Sequence, residues 1–216
     1  MAISDALALI DLDMREMFGH RLRSVVAYQV TDRIPGSPQP TLVIVDALTP
    51  ADLRACAGLV KKWHDAGLAT PLILEVPEFG RSLDAFPYEF GAILADHMIV
   101  SGADPFEGLT VDPADMRRAC EVQARSHLLH LREGFIETRG RSDALAELIA
   151  RSAAPLSALL RSVARLNGVP VTDGVLAEVA GLGGKELSSD TARRLFPEYL
   201  SAVEYLTNEI DRWGRA

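Results

Sequence analysis

Apolar positions fall along this chain in two rhythms, and the change between them comes near residue 110. Before it, short β-branched runs alternate with helical spacings. Leu7, Ile10, Met14 and Met17 recur every three or four residues with acids between them, which predicts an amphipathic helix over 4–18. Leu22, Val25, Val26 and Tyr28 predict a strand within 21–28, and residues 31–40, with three prolines and a glycine, predict a loop. Thr41-Leu42-Val43-Ile44-Val45 has no polar alternation, so it predicts an interior strand covered on both faces, flanked by 25–28 and 72–76. Thr49-Pro50-Ala51-Asp52 combines an N-cap, a proline at the first helical position and an acid at N3. A helix should run from there to about Ala66, with Leu53, Ala57, Val60 and His64 or Trp63 inward and Gly67 as its stop. Residues 71–76 read as a buried strand ended by Pro77, and Pro87 opens a helix marked by Phe86, Phe90, Ile93 and Leu94. His97-Met98-Ile99-Val100 is a further strand, closed by the turn residues Ser101-Gly102 and Asp104-Pro105.

Beyond residue 110 the spacing is helical. Asp112-Pro113-Ala114-Asp115 repeats the cap chemistry and starts a long helix to about Thr138, with Met116, Cys120, Ala124, Leu128, Leu131 and Phe135 on one stripe. Further helices are expected over 142–153, 155–166 (Pro155 at its start), 173–181 and 189–213, the last kinked before Pro197. Only Val169-Pro170-Val171 alternates like a strand there. The fold class implied is α+β: a small mixed-sheet domain over 1–110 followed by an all-helical bundle over 111–216.

Composition narrows the functional classes. The chain has 216 residues, 48% hydrophobic and 24% charged, which is ordinary for a globular protein. A net charge of −8 argues against general binding to a nucleic acid backbone. No apolar run approaches the roughly 18 residues of a membrane span. The opening MAISDALALIDLDMREMF carries acids and no basic leader, so a cytoplasmic location is expected. Cys56 and Cys120 both sit in helical patterns and read as buried free thiols.

A resemblance adds an expectation about chemistry. Ser24-Val25-Val26-Ala27-Tyr28 before the Pro/Gly loop, the Thr41–Val45 strand beyond it, Pro71-Leu72-Ile73-Leu74, Arg81-Ser82-Leu83-Asp84-Ala85-Phe86-Pro87 and His127-Leu128-Leu129-His130-Leu131-Arg132-Glu133-Gly134 together resemble the nucleotidyltransferase fold. The arrangement is similar to the kanamycin nucleotidyltransferase-like layout, in which that domain is joined to a C-terminal helical bundle. In that fold a Gly-Ser turn after the first strand offers backbone N–H groups to phosphates. Two acids at alternate positions of the next strand hold magnesium, with a third acid from a neighbouring strand. The resemblance places the Gly-Ser turn on Gln29-Val30, a basic residue on Arg33, the acid pair on Gln39 and Thr41, and the third acid on or near Glu75. Gln and Thr bring no negative charge, and one carboxylate cannot build a two-metal site. The site is therefore expected to be degenerate, with no assigned catalytic residue and no resident metal or cofactor.

Other chemistry-bearing residues have plainer readings. Asp32 and Asp46 are the nearest surviving acids, and Asp46 serves best as a strand-ending turn residue. His127 and His130 lie one helical turn apart, a chelating spacing without an evident third ligand. Arg125 and His130 make an Arg-x4-His spacing similar to the HEPN ribonuclease motif. Lys61-Lys62 and Arg117-Arg118 read as solvated helix faces, and the GLGG run from Gly181 to Gly184 follows a helix, so it is a connection. Three functional readings result: a degenerate nucleotidyltransferase-fold protein acting as a binding or regulatory module; an active enzyme moving a nucleoside monophosphate to a small molecule or protein with magnesium and nucleotide; and a toxin–antitoxin-type interaction protein with a protein partner. The helical bundle is the candidate surface for a homodimer.

Overall fold

The computed structural model describes residues 3–31, 36–183 and 185–213. Two compact units emerge, one to Val111 and one from Asp112.

The first unit runs α1 (Ile3–Phe18), a 3-10 turn (Gly19–Arg21), β1 (Leu22–Tyr28), β2 (Thr41–Val45), α2 (Pro50–Asp65), β3 (Leu72–Glu75), α3 (Val76–Ala85), α4 (Pro87–Ala95) and β4 (His97–Gly102). Its four strands lie in the order β3-β2-β1-β4. β1 pairs antiparallel with both β2 and β4, and β2 pairs parallel with β3, so the sheet is mixed. β2 is interior and buried at all five positions, as its unbroken apolar run requires. Val43 and Val45 pack against α1 and α2 together with Val25, Ala27, Ile10, Met14 and Trp63. Leu42 and Ile44 pack on the other face with Phe79, Leu83, Phe90 and Phe106.

Three expectations need correction. On α2 the expected Trp63 and the partly buried Val60 face inward with Cys56, while Leu53 is 51% exposed and Ala57 and His64 are exposed. The turn is set by Trp63, whose indole N–H donates to buried Asp13 at 2.9 Å. That bond satisfies the polar tip of a large apolar side chain. β3 is an edge strand, half-open, with Leu72 40% exposed. Pro77 also does more than end β3: it occupies the first turn of α3, which starts at once because the Glu75 N–H donates to Glu78 at 3.0 Å, a capping pattern that precedes the proline.

The sheet edge is closed tightly at Gly102, where φ is +84° and a Cβ would lie 2.0 Å from the Arg23 carbonyl oxygen. Only glycine lets β4 approach β1 there.

The second unit is α5 (Pro113–Glu137), α6 (Ser142–Asn167), α7 (Gly174–Ala180) and α8 (Ser189–Arg212). Asp112 caps α5 by accepting from Ala114 N at 2.7 Å and Asp115 N at 3.3 Å. The buried stripe of α5 is Met116, Cys120, Ala124, His127 and Leu131. His127 therefore takes the place expected for Leu128, because its ring nitrogen meets the Tyr199 hydroxyl. Phe135 is 45% exposed and stacks face to face on Phe196, with centroids 4.6 Å apart. α6 continues through Pro155 and α8 through Pro197, each a single helix. Buried residues on both sides of each proline hold the helix together: Ile149, Ala153, Leu156 and Leu159 in α6, Leu195, Phe196, Tyr199 and Val203 in α8. Packing on such faces outweighs one missing backbone bond. Val169, Pro170 and Val171 lie in a connection, and Cys56 and Cys120 are buried free thiols.

Candidate functional site

The turn after β1 is where the phosphate-binding donors of a nucleotidyltransferase would lie. Gln29 has φ +54°, the left-handed backbone that glycine adopts most easily. The turn conformation is thus present with a different side chain in it. Two of its donors are already engaged. The Gln29 N–H donates to the Asp96 carbonyl at 2.9 Å, and the Thr31 N–H faces both Asp96 carboxylate oxygens at 3.2 and 3.1 Å. Asp96 thereby sets its carboxylate against the turn. Spacing alone gave no signal for this, because Asp96 is the C-cap residue of α4, far along the chain. Val30 is 38% exposed, and Arg33 and Asp32 lie outside the described residues.

The two positions of the expected acid pair are closed off. Gln39 is 2% exposed, and its Nε2 donates to the Tyr28 carbonyl at 2.7 Å and the Pro40 carbonyl at 3.1 Å. Its backbone bridges to the segment before β3, donating to Gly67 O at 2.8 Å and accepting from Ala69 N at 2.9 Å. Gln39 thus ties the end of β1 to the middle of the unit. Thr41 is fully buried, and its hydroxyl has no hydrogen-bond partner among the described residues. Strand alternation puts Thr41 on the face of Val43 and Val45, which α1 and α2 cover.

Glu75, Asp46, Asp52 and Asp13 are engaged in structure. Glu75 accepts from the Leu48 N–H at 2.7 Å, pinning the turn that leads into α2. Asp46 pairs with Arg23 at 2.6 Å at the exposed strand end. Arg21 makes a two-bonded pair with Asp52, both bonds 2.9 Å, while Thr49 and Asp52 complete the cap of α2. These contacts hold the Asp52 carboxyl below the usual carboxylate range, the Arg21 guanidinium first among them. Asp13 is 5% exposed and accepts from Lys62 at 2.6 Å as well as from Trp63, so Lys62 is not a plain solvated residue. Lys61 is one: it pairs with Asp65 in solvent.

In the second unit the histidines separate. His127 is buried, with Nε2 2.6 Å from the Tyr199 hydroxyl; His130 is exposed and pairs with Glu133 at 3.5 Å. Burial, and then the nearby His130, push the His127 pKa down to about 4, so it is neutral near pH 7. Arg125 is held by Glu121 and Asp211, both at 3.1 Å. Arg125 and His130 are therefore engaged with different partners. Arg117 pairs with Glu121 at 2.9 Å and Arg118 with Asp115, all within one helix face. Among the described residues no group of three or more His, Cys, Asp or Glu is placed to hold a metal.

No protein-family profile and no curated protein matches the chain. A solved structure does: spectinomycin adenyltransferase from Enterococcus faecialis, determined with ATP and spectinomycin, superposes with a TM-score of 0.54 at 13% identity. The match covers 96% of this chain and 98% of that one. At that identity the likeness is one of fold, and the fold is that of the nucleotidyltransferases, a small mixed sheet with a helical C-terminal part.

Proposed function

We propose that this chain is a nucleotidyltransferase-fold protein that does not transfer nucleotides and works as a binding or regulatory module. The observation that carries the reading is Asp96 on the turn. A triphosphate brings several negative charges, and here the Thr31 N–H of the turn already faces a carboxylate. A nucleotide would have to displace that group and then meet its repulsion. The closed Gln39 and Thr41 positions support the same reading, since a metal bridging the phosphates needs hard anionic oxygen ligands. Glu75 alone, already bonded to Leu48 N, supplies one.

Isothermal titration of the full chain with magnesium–ATP, paired with transfer of labelled nucleotide to candidate acceptors and to the protein itself, tests this. Neither heat of binding nor transferred label is expected. Micromolar, magnesium-dependent binding, or label that disappears in Glu75→Gln, would establish the active enzyme instead.

A further inference from the structure

A pocket of about 300 Å³ lies within the helical unit between α5 and α6, at the lower end of the roughly 300–1,000 Å³ of small-molecule sites. Leu131, Leu148 and Leu159 give it an apolar wall, and Gln123, His127 and Arg151 give it polar groups. None of its lining residues is acidic.

The hydrogen atoms at its floor can be assigned. Ser152 Oγ donates its one hydrogen to the Ile149 carbonyl at 2.8 Å. The 2.9 Å contact between Ser152 Oγ and Tyr199 OH then needs the tyrosine hydrogen. With that hydrogen spent, the 2.6 Å contact between Tyr199 and His127 requires Nε2–H as donor. His127 is therefore held as the Nε2–H tautomer, and its Nδ1 is a lone-pair acceptor without a partner among the described residues. In α6 a backbone acceptor lacks its helical donor. Pro155, which also lines the pocket, has no N–H for the Arg151 carbonyl one turn earlier in α6. At the mouth, the Arg151 side chain is exposed and makes no hydrogen bond or ion pair with another described residue.

The His127 Nδ1 acceptor, an apolar wall and the exposed planar cation of Arg151 define one complementary shape. We propose that this pocket binds a small aromatic carboxylic acid, its carboxylate on Arg151 and a hydrogen-bond donor at its far end on His127 Nδ1. An arginine fork matches a carboxylate in two bonds, and the apolar ring replaces water along the leucines. The site does not depend on whether the α/β unit binds nucleotide.

Indole-3-acetate serves as the probe because it carries a ring, an N–H and a carboxylate at opposite ends. Its titration into the full-length protein by calorimetry should saturate at one site. Arg151→Gln should weaken indole-3-acetate at least tenfold and leave indole-3-acetamide unchanged. Ser126→Trp, which fills the pocket from α5, should abolish both while the circular dichroism spectrum stays that of the wild type. Blocking the ring N–H by methylation should weaken binding to the wild type as well. No saturable binding of indole-3-acetate, or equal binding by Arg151→Gln or by Ser126→Trp with intact circular dichroism, overturns the proposal.

Discussion

Thr41 is a β-branched residue in a strand interior whose hydroxyl finds no partner among the described residues. A buried hydroxyl left unpaired costs on the order of 1–3 kcal/mol. Thr41→Val keeps the shape and removes the orphan, so urea unfolding should show a gain of about 1 kcal/mol. Thr41→Asp, the change that would recreate half of an acid pair, should instead unfold the unit, because its carboxylate would be dry and unpaired. His127 offers the second residue-scale outcome. Its folded-state pKa of about 4 lies below the ordinary value of 6.5, so folding favours the neutral ring. Its contribution is complete above about pH 6.5 and is lost as pH falls toward 4, at up to roughly 1.4 kcal/mol per pH unit. His127→Gln retains an N–H donor for Tyr199 but does not titrate. The wild type should therefore lose stability relative to His127→Gln between pH 6.5 and 4, measured by thermal or urea unfolding. Equal pH profiles would mean the imidazole is not dry. The candidate site was only partly legible for the same reason. That Gln39 and Thr41 lack charge could be read directly, but Asp96 reaches the turn only through the pairing of β4 with β1.

At the scale of elements, strands and caps were legible where one local signal dominated. The Thr41–Val45 run and the Thr49 and Asp112 caps appear where expected. Helical phase was legible in part: Trp63 in α2 and Met116, Cys120, Ala124 and Leu131 in α5 lie inward as the spacing suggests, but His127 replaces Leu128. Trp63 and His127 turn inward since Asp13 and Tyr199, fifty and seventy-two positions away, satisfy their ring N–H groups. No spacing within α5 singles out His127, and none within α2 decides between His64 and Trp63. Pro155 misled in the opposite direction: its place at a helix start becomes an interior one held by a buried face, whereas Pro197 lies inside α8 as expected. The corrected phase of α5 has a measurable consequence. Leu131 is 1% exposed, whereas Leu128 is only partly buried. Leu131→Ala should cost about 2–5 kcal/mol by cavity formation, and Leu128→Ala distinctly less. The reverse order in denaturant unfolding would restore the phase read from the sequence.

At the scale of the whole molecule, the central question is whether the two units fold as one. Val43 lies at the middle of β2, fully buried, in the same cluster as Trp63 and the α1 residues Ile10 and Met14. Val43→Asp places an unpaired carboxylate there, and an isolated buried charge costs several kcal/mol against a total stability of roughly 5–15 kcal/mol. The sheet unit should unfold. Helices α5, α6 and α8 are 25, 26 and 24 residues long and pack on one another and on α7. Their far-UV dichroism should survive. Trp63 reports on the first unit and Trp213 on the second, so a Trp213→Phe background isolates the signal. In that background Val43→Asp should shift tryptophan emission to the red of native Trp63, while most of the helical signal remains and melts in a separate cooperative step. Loss of helicity together with the Trp63 shift would show that the helical unit depends on the sheet for its stability. Retention of both native signals would mean that β2 tolerates a charge, and the two-faced burial of the strand would have to be abandoned.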